Sequence, residues 1–123
     1  MKKQLMLHIG LHKTGSTSIQ AALKGYNKNK VRSIAFKEAN HSIPMYTIFS
    51  EERYNYHIWQ KEGLSKGDID KKKNAYLNIL IKEFKNNKVK TLIISGEDLS
   101  GLKDHEVKAL SEFLMAQQIK TTI

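Results

Sequence analysis

Residues Gly10-Leu-His-Lys-Thr-Gly15-Ser-Thr17 bring two glycines, a cation and several hydroxyls into one short segment. Those residue types suit an oxyanion. Gly10 and Gly15 let successive backbone N–H groups turn inward, and the N-terminus of a following helix adds partial positive charge. Lys13 supplies a full charge, and Thr14, Ser16, Thr17 and Ser18 supply hydroxyl donors. Against the phosphate-binding pattern of two Gly five apart followed by Lys and Ser or Thr, the segment matches at both glycines and at Thr17. It departs at Ser16, which stands where the Lys is expected. A nucleoside triphosphatase also wants a Mg²⁺-binding Asp at the end of a neighbouring strand. Ser95 stands there, with Glu97 and Asp98 following two and three residues late. Together the two departures favour a metal-free transfer. The plainer alternative is a Gly-rich turn whose Ser and Thr cap the helix.

Other residues are candidates for proton transfer and recognition. Open α/β sheets bind ligands beyond the carboxyl ends of their strands, so residues 95–98 are expected to face the same crevice as the Gly10 loop. Glu97 is there the candidate general base, able to take a proton from an acceptor hydroxyl; its alternative is to cap the following turn. His41, opening an irregular segment, is the second candidate base, with a surface histidine as the alternative. His8 lies within a strand and is expected to pack against a neighbour. Tyr46, Tyr54, Tyr56, His57 and Trp59 concentrate aromatic surface, which stacks on sugars and on adenine or simply fills core. His8 and His12 are four apart but straddle a strand and a loop, so no metal site is predicted.

The elements that must position these groups follow from hydrophobic periodicity. Residues 4–9, 31–36, 89–95 and 119–123 read as short strands. Ile19, Ala22, Leu23 and Tyr26 have helical spacing, with Gly25 and Asn27 as the stop. A short helix is expected around Met45 to Phe49, with irregular structure after it, in an insertion over residues 40–67 that is a candidate acceptor-side segment. Asp68 reads as the N-cap of a long helix carrying Ile69, Tyr76, Leu77, Leu80, Ile81 and Phe84 on one stripe. Val107, Leu110, Phe113 and Leu114 mark a last helix begun near Asp104. Alternating strands and helices predict an α/β domain over residues 1–123 with a parallel sheet covered on both faces.

Leu7-His-Ile-Gly-Leu-His-Lys-Thr-Gly-Ser-Thr-Ser-Ile-Gln20 resembles the 5′-phosphosulfate-binding loop of sulfotransferases, especially the bacterial carbohydrate-type enzymes. Leu92-Ile-Ile-Ser-Gly-Glu-Asp-Leu99 resembles the strand-plus-acid segment that follows in that family. The two segments cover about a fifth of the 123-residue chain. The resemblance implies a P-loop, nucleoside-kinase-like three-layer fold and 3′-phosphoadenosine 5′-phosphosulfate (PAPS) as donor of a sulfuryl group to a hydroxyl or amine acceptor, a carbohydrate by the subfamily. It implies that Lys13 stabilises charge developing on the leaving phosphate. The backbone of residues 14–17, Gly15 included, and the hydroxyls of Thr14, Ser16 and Thr17 would hold the 5′-phosphate. The family's 3′-phosphate site uses an Arg and a Ser on a later strand and helix. Arg32 and Arg53, the only arginines, lie outside that context. The expectation is therefore the front part of a longer fold, truncated on its C-terminal side, whose catalysis alone is in doubt.

Composition sets the remaining bounds. Lys plus Arg number 21 against 12 for Asp plus Glu, a formal net charge of +9. That excess favours an anionic partner without choosing one. With no Cys, thiol redox chemistry and thiolate metal sites are excluded. A spanning helix needs about 20 apolar residues, and the apolar runs here, such as Leu5 to Leu7 and Leu92 to Ile94, are far shorter. His8 interrupts the only signal-peptide-like stretch, so the chain reads as cytoplasmic. Three alternatives remain. One is a P-loop nucleotide kinase or NTPase, opposed by the missing Lys. Another is a basic nucleotide- or nucleic-acid-binding module, which lacks any recognisable signature. The last is a degenerate, inactive relative.

Overall fold

The computed structural model describes residues 3–9 and 16–122, and of residues 16–19 and Glu97 only the backbone. It is an α/β structure. Strands β1 (Lys3–His8), β2 (Asn27–Lys28), β3 (Val31–Ser33), β4 (Thr91–Ser95) and β5 (Ile119–Thr122) form one sheet in the order β2-β3-β4-β1-β5. β1 is parallel to both β4 and β5, and β3 is parallel to β4. Only β2 runs against its neighbour. It is a correction to the all-parallel expectation: Asn29 and Lys30, at φ 54° and 64°, turn the chain tightly between Lys28 and Val31. Positive φ at both central residues is the two-residue hairpin geometry.

Among the described residues five helices connect the strands: α1 (Ser16–Leu23), α2 (Ser42–Phe49), α3 (His57–Glu62), α4 (Lys66–Phe84) and α5 (Asp104–Ala116). The N-cap of α4 is Ser65, not Asp68. The Ser65 hydroxyl accepts from the Asp68 amide at 3.1 Å, and the Asp68 carboxylate accepts from the Ser65 amide at 3.3 Å. This reciprocal capping box starts the helix three residues earlier than the apolar stripe alone suggested. Residues 40–67 are also more regular than expected, holding α2, α3 and a 3₁₀ turn at Arg53–Asn55.

Among the described residues most of the core lies on one face of the sheet. Leu5 and Leu7 of β1 and Leu92 and Ile94 of β4 share that face by register and are buried against Met45, Ile48, Ile69, Leu80, Leu110 and Leu114. Each such side chain contributes roughly 1.5–3 kcal/mol relative to exposure. Phe113 of α5 meets both Phe49 and Phe84, tying α2, α4 and α5 together. Met6, on the opposite face, remains 51% exposed.

Two helix stripes differ from their sequence reading. Tyr26 lies past the end of α1 and is exposed, while Gln20 is buried. On α5, Val107 is 47% exposed while Glu106 is 2% exposed. Glu106 turns inward because its carboxylate accepts from the amides of Lys103 and Glu51, joining the start of α5 to the end of α2. Burial pushes that carboxyl up, but these bonds and one from Ser50 outweigh it and hold it below the usual range. Among the described residues, no helix is long and apolar enough to cross a membrane.

Candidate active site

The carboxyl ends of β1 and β4 are side by side, with His8 opposite Ser95. Parallel register puts both side chains on one face, and His8 Nδ1 stands 2.7 Å from Ser95 Oγ. The Gly96 amide donates to the His8 carbonyl at 2.9 Å, so the two chains remain joined one step past the strands. The sequence placed His8 against a neighbour without naming it. The partner is legible only once the strands are paired, because Ser95 is 87 residues away. Ser95 is 1% exposed, so its hydroxyl is closed to solvent and held against His8.

His41 completes the floor. Its amide donates to the Ser95 carbonyl at 2.9 Å, and its Nδ1 accepts from the Ser95 amide at 3.1 Å. The imidazole is 3% exposed with its ring edge-on to Phe36. Burial pushes its pKa down to about 4 against a smaller opposing pull from Glu38. The ring is therefore neutral at pH 7, with the Nδ1 lone pair committed and the proton on Nε2. His41 is not a surface histidine, and in this arrangement it has no lone pair to offer an acceptor hydroxyl.

Past β4 the chain passes close under α2. A Cβ on Gly96 would come within 2.4 Å of the Ser42 amide nitrogen and 2.8 Å of its Cα. Only a glycine fits between the strand and the first residue of the helix. The Asp98 amide then donates to Ser42 Oγ at 2.8 Å. Asp98 Oδ2 accepts from the Tyr56 hydroxyl at 2.8 Å. Glu97, between them, begins the 3₁₀ turn Glu97–Gly101; its side chain lies outside the described residues.

Beside this turn is a cleft of about 440 Å³ lined by Tyr46, Asn55, Tyr56, His57, Asp98 and Ser100. The Tyr46 and Tyr56 rings lie 4.5 Å apart, and Trp59 stands edge-on behind Tyr56. Of the aromatic group singled out in the sequence, the buried Trp59 is core, its indole donating to Thr47 Oγ1 at 2.9 Å. Tyr54 bonds Asp70 at the surface. Tyr46, Tyr56 and His57 line the cleft.

Of the anion-loop residues, Lys13, Thr14 and Gly15 lie outside the described residues. Ser16, Thr17 and Ser18 form the first turn of α1, with side chains outside the description. Both arginines are engaged by the fold. Arg32 pairs with the buried Glu83 at 3.1 Å, and the Arg53 guanidinium donates to the carbonyls of Thr47 and Ile48. Glu51, His105 and Glu106 group their ligand atoms within 4.8 Å. However, His105 is paired to Glu51, and Glu106 is spent on backbone amides. Comparison with protein-family models, with curated proteins and with solved structures found no match to this chain.

Proposed function

We propose that this chain is a PAPS-dependent sulfotransferase domain or the nucleotide-binding portion of one, acting on a hydroxyl or amine of a carbohydrate acceptor. The observation that carries the reading is the adjacency of β1 and β4. The Gly10–Gly15 segment leaves one strand and Gly96-Glu97 leaves the other, so the two segments that resemble the family start from neighbouring strand ends. Chain direction also diverges there. From β1 the chain runs by way of α1 and the edge strand β2 to the parallel strand β3, and from β4 it runs the other way to β5. Right-handed crossovers then send α1 and α5 to opposite faces, which supports a three-layer, P-loop-like arrangement with its ligand crevice at the reversal.

The donor's 5′ side fits this end of the molecule. β1 runs toward the loop, and α1 begins at Ser16 with first-turn amides that have no intrahelical acceptor. Lys13 and the hydroxyls of Thr14, Ser16, Thr17 and Ser18 would hold the 5′-phosphosulfate, and Lys13 would stabilise charge on the leaving phosphate oxygen. Neither arginine is offered to a 3′-phosphate, since Arg32 pairs with Glu83 and the Arg53 guanidinium donates to backbone carbonyls. Glu97 is preferred to His41 as base, because the His41 lone pair is occupied. Its carboxylate would take the acceptor proton as the new S–O bond forms and the bond to the phosphate oxygen breaks.

Calorimetry with 3′-phosphoadenosine 5′-phosphate against ATP plus Mg²⁺ tests the reading. The first should bind more tightly, and Lys13→Ala should weaken it about 10- to 150-fold with an unchanged circular-dichroism spectrum. Tighter, metal-dependent ATP binding would instead identify a nucleotide kinase or NTPase.

A further inference from the structure

We infer that the free edge of β5 and the adjoining flank of α5 form a surface on which a second copy of this chain docks about a two-fold axis. The inference does not depend on the sulfotransferase reading. Among the described residues β5 pairs with β1 alone, so its outer N–H and C=O groups face away from the sheet. Lys120, Thr121 and Thr122 are exposed, and the strand holds no Pro to blunt the edge. Beside that edge α5 carries a strip that the core does not use. Val107, Ser111 and Met115 follow one another at helical spacing and are all exposed, Met115 by 72%. Phe113, on the other flank of α5, meets Phe49 and Phe84. The strip therefore faces away from α2 and α4, toward the free edge.

Self-complementarity selects a second copy as the occupant. Packed antiparallel about Ser111, two α5 helices put Val107 against Met115 of the second copy, with the small Ser111 at the crossing point. Lys108 and Glu112, both exposed on the solvent side of the strip, then come within reach of Glu112 and Lys108 of the second copy. The strand obeys the same axis. Leu5 is opposite Thr121 and Met6 opposite Thr122, so Thr121 lies on the α5 face of the sheet and Lys120 and Thr122 on the other. Antiparallel pairing keeps faces together. The register with Thr121 opposite Thr121 sets Lys120 against Thr122 and keeps the two Lys120 charges apart. The levels agree as well. Gln117-Gln118 joins α5 to β5 in a tight turn, with Gln118 at φ 58°. By the helical rise Ser111 lies about 7.5 Å back from Ala116, and by the strand rise Thr121 lies about 7 Å on from Ile119. One axis thus serves both elements.

A short strand pair and one helix flank bury less than the roughly 1,200 Å² of a standard interface, so the dimer is transient. Sedimentation velocity from about 5 to 500 μM should show a reversible shift from the 14.1 kDa monomer to a dimer, half-formed at about tens of micromolar. Met115→Glu, which sets a charge against Val107 of the second copy, should weaken the dimer at least about tenfold with the melting temperature held. Lys108→Glu should weaken it about three- to tenfold, and adding Glu112→Lys should restore it, because the exchanged charges again meet across the axis. Should Met115→Glu be unfolded, the Lys108 and Glu112 exchange carries the test. Deuterium exchange at the amides of residues 120–122 should be slower at the top of that concentration range than at the bottom. A chain that stays monomeric throughout, or that associates beyond two copies, would overturn the inference. So would a dimer indifferent to these substitutions, or β5 amides that exchange alike at both concentrations.

Discussion

The sheet has a cleft at each end, and the two are nearly equal in volume, about 430 Å³ at the amino ends of the strands and about 440 Å³ at the carboxyl ends. Their chemistry is opposite. The amino-end cleft is lined by Lys3, Lys30, Lys85 and Lys90, and the carboxyl-end cleft by tyrosines, an amide and Asp98. Judged by charge alone, the first would be the anion site. However, Lys3 Nζ donates to the carbonyls of Asn86 and Val89 just past the end of α4, and burial lowers its pKa against a smaller opposing effect of Glu83. Cations satisfy open carbonyls at a helix C-terminus, where the dipole is negative and an anionic ligand is disfavoured. At the carboxyl end the connections leave β1 and β4 in opposite directions, the place where open α/β sheets bind their ligands. In the proposed reading it is chain direction, not charge density, that marks the site.

The strongest way to sharpen this contrast is Glu97→Gln, assayed for the proposed sulfuryl transfer to a saccharide. The rate should fall about 10²–10⁴-fold, with nucleotide affinity and melting temperature held. A stable variant with normal turnover would remove Glu97 as the base.

The second test is pH. The ordinary histidine value of 6.5 is depressed to about 4 for His41 in the fold, so the unfolded chain takes up its proton first as pH falls. Its contribution to stability is complete above pH 6.5 and is lost progressively down to about pH 4. At 1.36 kcal/mol per pH unit, that interval amounts to about 3 kcal/mol. Urea melts at several pH values should show the slope, and His41→Asn should flatten it. An unaltered slope in the variant would place the titration elsewhere.

Gly96→Ala probes the packing of the same end. The added methyl meets Ser42 backbone, which cannot swing aside as a side-chain tip can. A loss of about 1–3 kcal/mol is expected in denaturant melts, the usual cost of overpacking. The smallest effect belongs to the other end. Lys85→Gln and Lys90→Gln, both exposed, should change stability by less than about 0.5 kcal/mol. They should also leave the affinity for 3′-phosphoadenosine 5′-phosphate within about twofold, since these charges are solvent-screened and at the far end of the sheet. A collapse of nucleotide binding in these variants would break the comparison outright.

What the sequence determined by itself is whatever depends on nearby residues. The α4 stripe from Ile69 to Phe84, the buried run Leu92 to Ile94 and the stop at Gly25 were legible because periodicity and turn chemistry are local. The hairpin at Asn29-Lys30 was not, since Lys gives no sign that it will adopt positive φ. The start of α4 at Ser65 was overlooked because the apolar stripe, not the capping box, was followed to its end.

The tertiary structure alone decided the rest, because register and burial are set by pairings across the chain. It joined His8 to Ser95 and buried His41 behind them, so that a residue read as a candidate base or a surface histidine is a buried neutral strut. It turned Glu106 inward onto backbone amides 55 and three residues away, which no hydrophobicity pattern encodes. It also divided the aromatic residues of the 40–67 segment, placing Trp59 in the core and Tyr46 beside a cleft. An aromatic ring gains by burial in either place, so its type cannot say which; only the geometry of the surrounding elements does.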